Sequence, residues 1–111
     1  MTILIATLLY TGIVVAEENV QEKIKTPVSF YPEKNTSIKY QQEWQMNFYN
    51  ERIEEFKKDP IGQNKIVFLG NSIIEGGGDW NTRFYVNNIV NRGISGDITE
   101  GILNRLDEII Y

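Results

Sequence analysis

The stretch Lys65-Ile-Val-Phe-Leu-Gly-Asn-Ser-Ile-Ile74 decides how this chain is organised. It begins with a short, nearly continuous apolar run rich in β-branched and aromatic side chains, which is typical of a strand buried on both faces of a parallel sheet. Gly70 ends the strand, and Ile73 and Ile74 begin a short helical turn. Because open parallel sheets bind ligands beyond the carboxyl ends of their strands, Ser72 is predicted to lie at a functional edge.

A second glycine turn, Asn91-Arg-Gly-Ile-Ser-Gly-Asp-Ile-Thr99, follows about one βα unit later. Residues 86–92 are predicted to form the second strand, and Ser95-Gly96-Asp97 the turn into a helix over residues 98–110. Asp97 followed three residues later by Glu100 matches a capping box. The apolar face of this helix is predicted to comprise Ile102, Leu103, Leu106 and Ile110.

A helix is predicted over residues 40–58, where Trp44, Phe48, Ile53 and Phe56 recur near the helical period. This aromatic stripe is interpreted as a packing face, and Asp59-Pro60-Ile-Gly62 ends the helix. The order helix, strand, turn, helix, strand, turn, helix predicts an α/β domain with parallel strands.

Ser72 and Gly96 are candidates for chemistry because each follows the end of a predicted strand. If the strands are neighbours, the Ser72 hydroxyl and the backbone N–H groups of Ser72 and Gly96 face one crevice, where they could attack a carbonyl and stabilise an oxyanion. The alternative is that Ser72 caps a helix and Gly96 turns the chain. Spacing alone favours this alternative, since both fragments are common.

Two other patterns give weaker signals. The glycine-rich stretch from Gly70 to Gly78 suggests a phosphate-binding loop, but it matches neither the dinucleotide-binding pattern nor the P-loop. Glu75 and Asp79 could serve acid catalysis or a hard metal, and solvated loop carboxylates explain them better.

Composition excludes several classes. The chain has 111 residues, enough for one domain, and a net charge of −4 with no basic cluster longer than Lys57-Lys58, which disfavours nucleic-acid binding. It has no cysteine, so disulfides and thiolate metal sites are excluded. It has no histidine either, so a zinc site would need carboxylates alone. Neither a metal nor an organic cofactor is implied.

The first 16 residues are predicted to be a secretory signal. Thr2 to Ala16 is an uncharged apolar run, shorter than the roughly 20 residues of a membrane span, and Val14-Val15-Ala16 offers small residues for cleavage. No Lys or Arg precedes the run, so either the true start lies upstream of Met1 or the signal is atypical. A retained anchor is the main alternative, and a core helix is the third. Residues 17–38, polar and containing Pro27 and Pro32, are predicted to be a linker or lead-in.

The blocks Ile66-Val-Phe-Leu-Gly-Asn-Ser-Ile73, Asn91-Arg-Gly-Ile-Ser-Gly-Asp-Ile-Thr99 and Leu103-Asn-Arg-Leu-Asp107 closely resemble the SGNH (GDSL-like) hydrolase superfamily. The nearest likeness is to its acetylhydrolase or esterase branch, often secreted by bacteria that digest glycans. The resemblance covers residues from about 40 to 111. It implies that residues 39–111 form the N-terminal part of a flavodoxin-like, three-layer (α/β/α) parallel-sheet hydrolase fold.

Carried over by residue, the resemblance assigns the nucleophile to Ser72 and oxyanion-hole donors to the N–H groups of Ser72 and Gly96. Asn71 replaces the usual aspartate of the first block, and this replacement occurs within the family. The resemblance also assigns supporting roles to Asn71 and Asp97. The family's third block, with an asparagine donor, and its last block, with the triad Asp and His, are not found in this sequence. A serine hydroxyl needs a base to take its proton.

The resemblance therefore implies a truncated domain, with about three further strands expected beyond Tyr111; a short protein that has abandoned hydrolysis is the less favoured explanation. The expected function is that of a fragment of a serine esterase acting on O-acyl, chiefly acetyl, esters of small molecules or carbohydrates, itself inactive. The expected location is secreted or periplasmic, with no nucleic-acid partner and no stable membrane association after signal cleavage. A non-catalytic carbohydrate- or partner-binding remnant is the alternative, and an anchored interaction fragment is the third.

Overall fold

The computed structural model describes residues 26–111. The predicted signal segment, residues 1–16, and the first part of the predicted lead-in lie outside this range. Among the described residues, no helix is both long and apolar enough to cross a membrane.

The order of elements matches the sequence prediction and confirms the α/β class. After a 3-10 turn at Val28–Phe30, the described chain forms two strands and five helices. They are α1 (Glu43–Lys58), β1 (Ile66–Gly70), α2 (Ser72–Gly76), α3 (Trp80–Phe84), β2 (Ile89–Gly93), α4 (Thr99–Asn104) and α5 (Leu106–Ile110). The second strand begins three residues later than predicted, since the chain from Tyr85, whose φ is 55°, is still leaving α3.

The two strands pair in parallel and end at the same level. Ile66 lies opposite Ile89, and Gly70 lies opposite Gly93. Because both strands run the same way and finish together, the turns that follow them leave from one edge of the sheet.

Helices cover both faces of this sheet. On one face, the Phe68 ring lies 5.1 Å from that of Trp80 and 5.8 Å from that of Phe84, both in α3. On the other face, the Arg92 guanidinium lies 4.3 Å from the centre of the Phe56 ring in α1. Arg92 lies opposite Leu69 of β1, so their side chains are on the same face of the sheet. Because successive side chains along a strand point to opposite faces, Phe68 is on the other face.

The expectation that β1 is buried on both faces is wrong for the described part of the chain. All five of its residues keep some exposure, and the Ile66 side chain is 49% exposed. Within residues 26–111 the sheet contains only β1 and β2, so each strand has a neighbour along one edge alone.

The core lies between α1 and the end of the sheet. Tyr49, Ile53 and Phe56 form the buried stripe of α1 and pack with Tyr31, Ile38 and Ile94. Tyr31 and Ile38 belong to the predicted lead-in, so this part of it packs against the domain. Trp44, predicted to be in the packing stripe, is 57% exposed, because the core side of the helix follows Tyr49, Ile53 and Phe56 instead.

The last helical region differs most from its prediction. A single helix over residues 98–110 was expected, whereas α4 and α5 are separated at Arg105. The predicted apolar face is also wrong, because Leu103 and Ile110 are exposed while Gly101, Arg105 and Glu108 are buried. Within residues 26–111, Arg105 pairs with Asp97 at 2.9 Å, and Glu108 lies 3.5 Å from Arg92 Nε, so these ion pairs favour the side of the helical region that faces the sheet.

Candidate functional site

The corner between β1 and α2 presents Ser72 at the surface. Ser72 is the first residue of α2 and is exposed, and Asn71 caps the helix by accepting a hydrogen bond from the Ile73 N–H at 3.2 Å. The Gly70 carbonyl accepts from the Ile94 N–H at 3.0 Å, which ties this corner to the chain leaving β2. The capping role first considered for Ser72 therefore belongs to Asn71.

The turn after β2 requires glycine at position 96. Gly96 has a φ of +79°, and a Cβ placed on it would lie 2.8 Å from Cη2 of Trp44. Its carbonyl accepts a hydrogen bond from Gln45 Nε2 at 2.8 Å. The turn is thus fixed against the first part of α1 by packing and by a hydrogen bond.

The two turns are in direct contact with each other. The Glu75 carboxylate, one helical turn after Ser72, accepts a hydrogen bond from the Ser95 N–H. The backbone of Glu75 lies so close to Gly93 that any Cβ at position 93 would overlap it. The corner carrying Ser72 and the turn carrying Gly96 therefore form one packed surface.

The two candidate oxyanion donors differ from their neighbours in their hydrogen bonding. Within residues 26–111, neither the Ser72 N–H nor the Gly96 N–H donates a hydrogen bond, although their neighbours Ile73, Ser95 and Asp97 all do. A backbone N–H group without a partner can stabilise negative charge that develops on a carbonyl oxygen bound next to it.

Asp97 is part of a buried ion pair and does not form the predicted capping box. The N-cap residue of α4 is Ile98, which makes no side-chain cap. Asp97 Oδ2 instead accepts from Arg105, 3.0 Å from Nε and 2.9 Å from Nη2. Burial raises the pKa of Asp97 above its ordinary value, against the lowering effect of the Arg105 charge. Asp97 therefore stabilises the turn through this buried ion pair.

Arg105 joins the ends of both strands to this ion pair. Its Nη1 donates to the Arg92 carbonyl at 2.8 Å and its Nη2 to the Gly70 carbonyl at 3.2 Å. One guanidinium therefore binds the last part of β1, the last part of β2 and the carboxylate that follows Gly96, which suits its fixed fork of donors.

The described residues provide no base for Ser72. No side chain between residues 26 and 111 hydrogen-bonds its Oγ, and the chain has no histidine. Asp79 caps α3 through the Asn81 N–H, and a hydrogen bond from Thr82 lowers its pKa. Glu75, expected to be a solvated loop carboxylate, lies within α2 and is held by the Ser95 N–H and, at 3.7 Å, by Arg52.

No metal centre is formed in this part of the chain. Among residues 26–111, no three Asp or Glu side chains are grouped closely enough to hold a metal ion.

The supporting roles of three residues were not predicted from the sequence. Arg105 and Asn91 were quoted only as members of the sequence blocks, and Glu75 was interpreted as a solvated loop carboxylate. Asn91 Nδ2 donates to the carbonyls of Ile74 at 2.9 Å and Gly78 at 3.0 Å, which holds α2 on the sheet. A polar residue inside an otherwise apolar strand was the available signal for Asn91.

Comparison with known proteins yields no match to any family model and no match to a curated protein.

Proposed function

We propose that this chain carries the nucleophile and two oxyanion donors of a serine ester hydrolase of the SGNH type. The observation that supports this most is the contact between the two turns through Glu75 and Ser95, while neither the Ser72 N–H nor the Gly96 N–H donates to another group of residues 26–111. Helices on both faces of a parallel sheet agree with the flavodoxin-like three-layer fold proposed for the whole domain. The sequence blocks around Ser72 and Gly96 supply the rest of the argument.

In the proposed reaction, Ser72 Oγ attacks the ester carbonyl while a general base takes its proton. The carbonyl oxygen becomes an oxyanion that accepts hydrogen bonds from the Ser72 and Gly96 N–H groups. Collapse of the tetrahedral intermediate breaks the ester bond, and the alcohol leaves with a proton. Water then hydrolyses the acyl-serine and restores Ser72.

We place the general base outside these 111 residues, because the usual base for a serine nucleophile is histidine and the chain contains none. Loss of the base leaves only the weaker catalysis of the oxyanion donors, so the chain itself is proposed to be inactive in turnover. The proposed substrates are O-acyl, chiefly acetyl, esters of small molecules or carbohydrates. Export through residues 1–16, without stable membrane association afterwards, belongs to the same proposal.

Covalent labelling tests the role of Ser72 without requiring turnover. The full chain is treated with an alkyl fluorophosphonate, whose phosphorus forms a bond to a serine oxygen as fluoride leaves, and the labelled peptides are mapped by mass spectrometry. We expect Ser72 to react faster than Ser29 and Ser37, which are also exposed. This preference should disappear in denaturant, because it depends on the folded turns.

A labelling rate for Ser72 no higher than that for Ser37 in the folded chain would contradict the proposal. Ser72→Ala is the matched variant, and it should lose the preferred adduct while labelling at Ser37 stays unchanged. A non-catalytic binding protein is the second candidate, favoured by the absence of a base near Ser72 among residues 26–111. It predicts no labelling preference for Ser72.

A further inference from the structure

An open depression lies beside the Gly96 turn and is separate from the Ser72 corner. It has a volume of about 480 Å³ and is lined by Trp44, Asn47, Phe48, Glu51 and Ser95. The depression is shallow and largely open to solvent, and it combines aromatic side chains with a few polar groups, as small-molecule sites do. The first four lining residues are on one side of α1, and Ser95 is on the turn next to Gly96.

Trp44 forms a fixed aromatic wall of this depression. Its Nε1 donates to Gln42 Oε1 at 2.9 Å, and its six-membered ring packs on Gly96. The side chain is nevertheless 57% exposed. An aromatic ring held on two sides and left open to solvent has little conformational entropy to lose when a ligand covers it.

The charge of the depression is negative. Among the described residues that line it, Glu51 alone is charged. The ion pairs that α1 forms within residues 26–111 join Arg52 to Glu55 and Glu75, and Lys57 to Glu54, and none includes Glu51. The faces of Trp44 and Phe48 also carry negative potential, and Trp is the aromatic side chain that attracts cations best.

We propose that this depression binds an organic cation with an alkylammonium or quaternary ammonium group. The aromatic side chains contact the apolar substituents on nitrogen, and Glu51 balances the charge. The Asn47 amide and the Ser95 hydroxyl are available to hydrogen-bond a polar group on the same molecule. An anion would be repelled by Glu51, and a neutral ligand could donate a hydrogen bond to it but would leave its charge unbalanced.

The site goes beyond the proposed hydrolase and does not depend on it, because binding is measured without turnover. The probes are choline and 3,3-dimethylbutan-1-ol, which has the same shape with carbon in place of the charged nitrogen. The full chain is labelled with ¹⁵N, and the indole N–H signals are followed at constant ionic strength. Trp80, packed against Phe68, is an internal control.

Choline should move the Trp44 indole signal in a saturable way and leave that of Trp80 in place, while the neutral alcohol should move neither. Glu51→Gln should weaken choline binding about fivefold, the order expected for a partly exposed cation site. Glu33→Gln makes the same charge change at another exposed position and should not alter binding. Ser72→Ala should also leave it unchanged.

Three results would overturn the inference. The neutral alcohol could bind as well as choline, which would define an apolar site without cation preference. The Glu51→Gln variant could bind choline as tightly as the Glu33→Gln variant, which would show that the Glu51 charge does not contribute to binding. The Trp44 signal could shift with protein concentration when no ligand is present, which would show that a second copy of the chain covers the depression.

Discussion

Arg105 and Asp97 form an ion pair whose two side chains are completely buried, with Arg105 Nη2 2.9 Å from Asp97 Oδ2. The same guanidinium donates to the carbonyl of Gly70, the last residue of β1, and to that of Arg92, the residue before the last in β2. One buried side chain therefore stabilises both of the turns that carry Ser72 and Gly96. Buried charges in such a network are costly to leave without a partner.

Replacing Arg105 should destabilise the fold strongly. In Arg105→Met, Asp97 is left as a buried charge without its partner, and two carbonyls lose a donor. We expect a loss of about 3–5 kcal/mol in the free energy of unfolding, measured by urea denaturation followed by circular dichroism. If the wild-type stability is smaller than this, the variant should be unfolded without denaturant.

The double variant Asp97→Asn/Arg105→Met separates the ion pair from simple loss of packing. Because the amide that replaces the Asp97 carboxylate carries no charge, the double variant should lose clearly less stability than the sum of the two single variants. Lys58→Met, at an exposed position outside the network, is the control and should be close to neutral. Additive losses from the two single changes would contradict the coupling.

Gly93 should be intolerant of a side chain. A Cβ at position 93 would overlap the backbone of Glu75, so Gly93→Ala must move α2 away from the sheet. We expect a loss of about 1–3 kcal/mol in unfolding free energy, measured by thermal or urea denaturation. Displacement of α2 should also weaken the preference for labelling at Ser72.

Gly76→Ala is the matched control for this substitution. Gly76 is the last residue of α2, and a Cβ there would meet no atom within 4 Å. Since alanine favours the helix, this variant should gain about 0.4–1 kcal/mol. Equal effects of the two glycine substitutions would show that the close approach of Glu75 to Gly93 is not a constraint.

Tyr49 should make the fold sensitive to alkaline pH. It is fully buried, its hydroxyl donates to the Gly101 carbonyl at 3.0 Å, and burial raises its pKa from 10.0 to about 12. Between these values the folded chain keeps the phenol proton while the unfolded chain loses it. Stability from this group is therefore complete below about pH 10 and falls, by up to roughly 3 kcal/mol, as the pH rises toward 12.

The variant Tyr49→Phe isolates this effect. Near neutral pH it should be less stable than the wild type by about 1 kcal/mol, because the Gly101 carbonyl loses its donor. The difference should narrow or reverse as the pH rises from about 10 to 12, measured by urea denaturation at each pH. A difference that stays constant over this range would show that Tyr49 does not govern the alkaline loss.

The strand-to-helix corner at Ser72 could be predicted because its signals are local. A β-branched apolar run followed by a glycine specifies backbone structure within a few residues, although the cap considered at Ser72 is formed by Asn71. The parallel direction of β1 and β2 could also be predicted from the sequence, since a helical connection between two strands favours parallel pairing. These local signals are enough to place Ser72 and Gly96 at one edge of the sheet.

The helical region after Gly96 could not be predicted in the same way. Leu103 and Ile110 suggested an apolar face, yet both are exposed while Arg105 and Glu108 are buried. Hydrophobic spacing treats charged residues as markers of the solvent side, and it fails where a charge has a buried partner outside its own helix. The pairing of Arg105 with Asp97 and with strand carbonyls is such a tertiary effect.

Acetylation by p-nitrophenyl acetate tests the central claim most directly, namely that Ser72 is a nucleophile whose base lies outside these 111 residues. Release of p-nitrophenol is followed for the full chain and for Ser72→Ala, and the acetylated positions are mapped by mass spectrometry. We predict slow acetylation, at most one serine per chain and preferentially at Ser72, without continuing turnover. Sustained turnover abolished by Ser72→Ala, or acetylation of Ser72 no faster than that of Ser37, would contradict this account.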